Sequence, residues 1–262
     1  MVRKTCQIVL VGHDVQKLFF SIDKEIYDKL IFITEKEKLP GSEKALETLK
    51  DLIGEYERRK VKVENKKFNF LEDTKPIAEL THLIYQQKKL GFENIIVNIS
   101  GGLRYIDIWL YLACSITNTK LIHGDFVYEG DKEVGIRKND ELRTLYLGEL
   151  TSKQFEFLEL FYNPYSDYSE FFDEKFSFDE NPLLNNRIVY DSIEETRIAL
   201  NKLRGKASEN ITRGAINGFI RKLDRISALQ IIPENQNKKK IAISYIGIAY
   251  FLQKLFEDNF KN

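Results

Sequence analysis

Two short apolar runs near the start, Gln7–Gly12 (QIVLVG) and Lys29–Thr34 (KLIFIT), are rich in β-branched residues and lack polar alternation. That pattern predicts strands buried on both faces. Between and after them lie segments of helical period: Val15–Asp23, then Gly41–Arg59 with Ala45, Leu49, Leu52 and Ile53 on one face. Val61–Phe70 alternates apolar and polar residues, Thr74–Leu90 predicts another helix, and Asn94–Ser100 (NIIVNIS) another buried strand. A further apolar helix follows, and Leu121–Lys138 reads as a closing antiparallel pair. Buried strands joined by amphipathic helices predict an α/β fold, a Rossmann-like and mainly parallel sheet over residues 1–140. Ligands of such sheets sit at the C-terminal ends of the strands, where the winding direction switches. Gly12-His13-Asp14 and Ser100-Gly101-Gly102 both fall at strand C-termini and are expected to share one crevice.

From Leu142 the pattern changes. A capped helix is predicted from Thr151, followed by an acidic, aromatic stretch near 163–190 carrying Tyr165, Tyr168, Phe171, Phe172, Phe176 and Phe178. This stretch is expected to be an insertion that packs by its aromatics. Next come the helical SIEETRIALNKLRGK, a polar break, a second helix through Arg213–Arg225, strand-like Leu229–Pro233, a charged tip, IAISYIG and a final helix to Phe260. Helix, turn, helix, two strands and a closing helix outline a mostly α winged helix-turn-helix domain over residues 141–262.

At 262 residues, one large or two modest domains are expected. Lys+Arg and Asp+Glu number 40 each, so the net charge is zero and any nucleic-acid affinity must come from a local patch. Basic residues do cluster between Arg197 and Lys240, where only Glu209, Asp224 and Glu234 are acidic. Arg213, Asn217 and Arg221 form one stripe of the second helix, Arg225 extends it, and Lys238, Lys239 and Lys240 sit at the tip, all candidate contacts to double-stranded DNA. A solvated charged helix and a lysine-rich turn would look the same. Cys6 and Cys114 make no disulfide framework and no zinc spacing is present, which suits a reducing, cytoplasmic setting. No run of about 18 apolar residues predicts a membrane span, and no metal site is expected.

The densest signal is Asn94–Ile116, where a strand empties into a Ser-Gly-Gly turn and a helix starts at once. Strand, glycine turn and helix N-terminus point backbone N–H groups and a positive dipole end at one spot, which suits an anion such as phosphate. Arg104 adds a fixed charge with bidentate reach. The two glycines permit positive φ and close backbone approach, although a tight turn forms from the same residues with no ligand. The pattern is neither the dinucleotide fingerprint nor a Walker loop.

Asn98-Ile99-Ser100-Gly101-Gly102-Leu103-Arg104 is similar to the N-[IL]-T-G-G-T-[KR] signature of CARF (CRISPR-associated Rossmann fold) domains, with Ser100 for Thr and Leu103 for a polar residue. The whole chain resembles the CARF–winged-helix regulators of archaea. The resemblance implies a homodimer that binds cyclic oligoadenylate, most often cyclic tetra-adenylate, across its two-fold axis, with no cofactor. It implies phosphate and ribose contacts from Ser100, Gly101, Gly102 and Arg104, with Leu103 beside them and Asn98 orienting the turn. Gly12 and His13 would form the facing wall, and Tyr105 or Tyr128 would stack adenine. The expected role is transcription regulation, with no catalytic residue. The alternative is a metal-independent ring nuclease in the same crevice using Ser100, Arg104 and His13. A metal-dependent effector nuclease is disfavoured, since no histidine follows His123.

Overall fold

Six consecutive buried residues, Thr5–Leu10, form β1, the centre of the first unit. The computed structural model describes residues 4–37, 41–101, 104–130, 132–145, 147–162, 168–181, 187–205, 210–235 and 238–260, with the backbone alone for Arg104, Tyr105, Lys132, Glu133, Ser169, Asn235 and Lys238. The chain divides into two units, Met1–Leu147 and Gly148–Asn262.

In the first unit β1 is followed by α1 (Val15–Ile22), β2 (Lys29–Glu35), α2 (Ser42–Arg58), β3 (Lys62–Phe68), α3 (Lys75–Lys89), β4 (Asn94–Asn98), α4 (Arg104–Thr117), β5 (Lys120–Glu129) and β6 (Lys132–Leu142). The six strands form one sheet in the order β3-β2-β1-β4-β5-β6, parallel except for β6, which pairs antiparallel with β5. This is the Rossmann-like sheet the pattern predicts, and β1, β2 and most of β4 are buried as their unbroken apolar runs require. β3, at the sheet edge, keeps the alternating, half-exposed pattern of its sequence. Leu18 and Ile22 of α1, Phe32 of β2 and Leu49, Leu52 and Tyr56 of α2 close one core cluster against Val9 and Val11. Because β1 lies between β2 and β4, the winding reverses between β1 and β4, and a crevice opens above their C-terminal ends. Among the described residues no helix is long and apolar enough to cross a membrane.

The second unit contains α5 (Ser152–Glu159), a 3₁₀ turn (Tyr168–Phe172), α6 (Ile193–Arg204), α7 (Arg213–Arg225), β7 (Leu229–Asn235), β8 (Lys238–Ile243) and α8 (Tyr245–Phe260). Thr151 caps α5 in a reciprocal capping box with Gln154, the signal that made this helix legible. Ser192 and Thr212 cap α6 and α7 through their hydroxyls. β7 and β8 pair antiparallel, and Tyr190 bridges to Ile241 on the far side of β8. Of the aromatic stretch, the described part packs as expected: Phe171 and Phe172 are buried, and Phe172 meets Phe256 and Phe260 edge-on at 5.4 and 5.7 Å. Tyr165 lies outside the described residues.

Candidate functional site

β1 ends at Leu10, and the chain passes through Val11 and Gly12 into the cap of α1, where Asp14 accepts the Lys17 N–H at 3.0 Å. β4 ends at Asn98 and passes through Ser100 and Gly101 towards α4. These two turns touch. A Cβ on Gly12 would lie 1.6 Å from the Gly101 carbonyl oxygen, and one on Gly101 would lie 2.9 Å from the Gly12 nitrogen and 2.7 Å from Leu18 Cδ2. Both glycines are therefore required by space. Gly101 does not use the left-handed freedom considered for it, since its φ is not positive. Gly102 and Leu103 lie outside the described residues, as do the side chains of Arg104 and Tyr105.

Beneath the turn lies a buried polar network. Asn98, 0% exposed, accepts the Ser100 N–H on Oδ1 at 3.0 Å and donates from Nδ2 to Ser21 Oγ at 2.9 Å. Ser100 Oγ stands 2.6 Å from Ser21 Oγ and accepts the Gly124 N–H at 2.9 Å. Ser21 Oγ is 2.9 Å from Asn139 Oδ1, and Asn139 Nδ2 donates to the Ser21 carbonyl and to Glu25 Oε1. One proton assignment satisfies every member: Ser100 donates to Ser21, and Ser21 donates to Asn139. A fully satisfied network of this kind fixes one arrangement of α1, β4, β5 and β6.

The network corrects one expectation. Ser100 is 3% exposed, and both its hydroxyl and its N–H are held by protein groups. It positions the turn from below and offers no free group to a ligand or to catalysis. Asn98 orients the turn. His13 is exposed on the β1 side of the crevice, its ring beside Gly41: a Cβ there would lie 3.0 Å from His13 Cε1. Gly41 has φ 89° and precedes α2 with no side-chain cap, so the first turn of α2 opens beside His13. Sequence reasoning passed over Gly41, although Pro40-Gly41 before an amphipathic helix is its signal. Tyr128 is 56% exposed on β5 and is not core. A cleft of about 730 Å³ lies elsewhere, around Thr5, Asn94 and Lys120 at the opposite, N-terminal ends of the strands.

Asp107, in the first turn of α4, has one buried carboxylate oxygen with no hydrogen-bond partner among the described residues. Burial pushes its pKa up from 3.8 to about 6. The folded state therefore favours the protonated acid, and stability falls as pH rises from about 4 through about 6. Asp107→Asn is expected to raise the melting temperature above that interval and to leave it unchanged below. Equal melting temperatures at both ends of the range would refute this.

In the second unit α7 buries Ile216, Ile220 and Leu223 and exposes Arg213, Arg221, Lys222 and Arg225, with Asn217 half-buried between. None of these four cations makes an ion pair among the described residues. Elsewhere in the basic span three cations are paired within the protein. Arg204 forms a two-pronged pair with Glu156 at 2.6 and 2.7 Å, and Arg197 pairs with Glu194. Lys240, expected to face phosphate, instead pairs with Glu234 at 2.8 Å and reaches Asp191 at 3.7 Å. Lys239 is exposed, and the Lys238 side chain lies outside the described ones. Among the described residues no group of three His, Cys, Asp or Glu is placed to hold a metal ion.

Residues 8–133 match the family model of the Csa3 CRISPR-associated Rossmann-like domain. This stretch is similar to a CARF domain. The match runs from within β1 to the start of β6, so both glycine turns of the crevice lie inside it. No curated protein matches the chain. Among solved structures, protein VC1899 from Vibrio cholerae resembles it with a TM-score of 0.37 and 12% identity, over 92% of this chain and 78% of that one. That likeness is too loose to carry an argument.

Proposed function

We propose that the protein is a CRISPR-associated sensor of cyclic oligoadenylate, with cyclic tetra-adenylate as its ligand, and that it regulates transcription as a homodimer on double-stranded DNA. One observation carries the reading. The Gly12 and Gly101 turns meet at the switch point of a CARF sheet, where backbone N–H groups and the start of α4 suit a phosphate. Gly12, His13, Gly101, Gly102, Leu103 and Arg104 are the residues assigned to the ligand, and Asn98 and Ser100 support them from below. A two-fold symmetric polyanion suits a site to which each subunit brings one turn and one Arg104. The outward face of α4 favours such a pairing: Ile108 is 57% exposed, and Trp109 and Leu112 beside it are only half-buried.

Calorimetric titration with cyclic tetra-adenylate tests the reading. Arg104→Ala is expected to weaken binding by about tenfold or more, the usual worth of a charge-assisted contact to phosphate. Absence of heat with every ring size would sink the proposal. The α6–α7 pair with the β7–β8 hairpin is assigned as the winged helix-turn-helix, with α7 presented to DNA. Coupling between the two sites is reciprocal: if the messenger changes DNA affinity by some factor, DNA changes messenger affinity by the same factor.

Ring cleavage is the second reading, and exposed His13 beside the crevice is the observation that favours it. The burial of Ser100 removes one of its three candidate groups. Chromatography of the ligand after prolonged incubation separates the readings. Intact rings support the sensor, whereas linear products abolished by His13→Ala establish the nuclease.

A further inference from the structure

A cavity of about 500 Å³ lies within the second unit, between the end of α5, Tyr190 and the last turns of α6. Its volume falls within the range usual for small-molecule sites, about 300–1,000 Å³. Leu160, Leu203 and the rings of Tyr162, Tyr168 and Tyr190 give it apolar walls.

One polar group of the lining, the Tyr162 hydroxyl, is buried without a partner among the described residues. A second, the half-buried Glu159, has a carboxylate oxygen to which no described group donates. Tyr162 is 4% exposed, and its hydroxyl has no hydrogen-bond partner among the described residues. Buried hydroxyls are rarely left so. Glu159 accepts the Tyr168 hydroxyl on Oε1 at 3.3 Å, and no described group donates to Oε2. The surroundings of Glu159 are acidic. Burial first, then the carboxylates of Glu156 and Asp258, push its pKa up, opposed only by the Tyr168 hydrogen bond. A carboxylate held in that setting gains from a cationic donor and repels an anion. Lys202 lines the mouth but is exposed, so its ammonium has water available to it. Arg187, whose charge is felt at Tyr162, has its guanidinium over the Tyr245 ring at 5.4 Å.

We infer that this cavity is a binding site for a small organic amine, its ammonium donating to Glu159 Oε2 and the Tyr162 hydroxyl and its apolar body packed among the tyrosine rings. An ammonium has donors enough for both oxygens, and aromatic faces attract a cation. The inference is independent of the messenger site, since every residue it uses belongs to the second unit.

Calorimetry on the full chain with three probes of one shape tests it: phenethylamine, 2-phenylethanol and 3-phenylpropionate. Phenethylamine is expected to bind with Kd of about 1 mM or tighter, consistent with its few heavy atoms. The carboxylate should bind at least about tenfold more weakly, because it meets Glu159 as a like charge. Glu159→Gln should weaken the amine by about tenfold while leaving the alcohol nearly unchanged. Tyr162→Phe removes only an oxygen that no described group pairs with, so the fold is kept, and amine affinity should drop about threefold or more. Equal affinity for amine and carboxylate, unchanged amine binding in both variants, or no heat from phenethylamine would each overturn the inference.

Discussion

Gly12→Ala is expected to be the most damaging single-methyl change in the first unit, destabilising it and abolishing the proposed messenger binding together. The added Cβ would stand 1.6 Å from the Gly101 carbonyl oxygen, and the obstacle is backbone, which has no rotamer to retreat to. The φ of Gly12 is not positive, so alanine meets no conformational penalty there and the whole effect is steric. Relief requires the β1 turn to move away from the β4 turn, but the β4 turn is anchored below by Asn98, Ser100, Ser21 and Asn139. Overpacking a rigid site costs about 3 kcal/mol or more at the upper end of its range. For a chain of this size that lowers the melting temperature by roughly 6–12 °C. Gly135, on β6, is the matched control, because a Cβ there meets nothing within 4 Å. Gly135→Ala should stay within about 0.5 kcal/mol of the parent. If Gly12→Ala melts like Gly135→Ala, the two turns are not in contact.

The sheet was legible because burial on both faces leaves a local mark. Gln7–Gly12, Lys29–Thr34 and Asn94–Ser100 are mostly apolar runs, and each forms a parallel strand, the first and third leading into the Gly12 and Gly101 turns. The polar network was not legible. Ser21 meets Asn98 across 77 positions, Ser100 across 79 and Asn139 across 118, and nothing in a single sequence ties such residues together. Ser100 therefore reads from the sequence as a ligand contact, because its motif is visible there and its burial is not. The ion pairs of Lys240 were hidden for a similar reason. A lysine run reads as free charge, yet its neutralising partners are Glu234, across the hairpin, and Asp191, from a different part of the chain. The amphipathic face of α7 was legible in full, since Ile216, Ile220 and Leu223 repeat at helical spacing and the cations fall opposite.

That face sets the second large effect. With Lys240, Arg204 and Arg197 paired within the protein, the cations available to a duplex are mainly those of α7. Replacing Arg213 and Arg221 together by alanine is expected to weaken duplex binding by about a hundredfold at moderate salt. It should also flatten the log–log salt dependence by about two, one for each phosphate that is no longer neutralised. Neither residue supports the fold through an ion pair among the described residues, so the melting temperature should hold while the affinity falls. Lys240→Ala provides the contrast. Its charge is already matched by Glu234, with Asp191 nearby, and exposed pairs of this kind are worth about 0–1 kcal/mol, so both stability and DNA affinity should change little. Lys240→Ala weakening DNA as much as the α7 pair would mean that the hairpin ion pairs open on the duplex and the wing supplies the electrostatic contact. A salt slope unmoved by the α7 substitutions would be graver, because a cationic face whose removal releases no fewer counterions is not touching phosphate, and α7 would then face a protein instead of DNA.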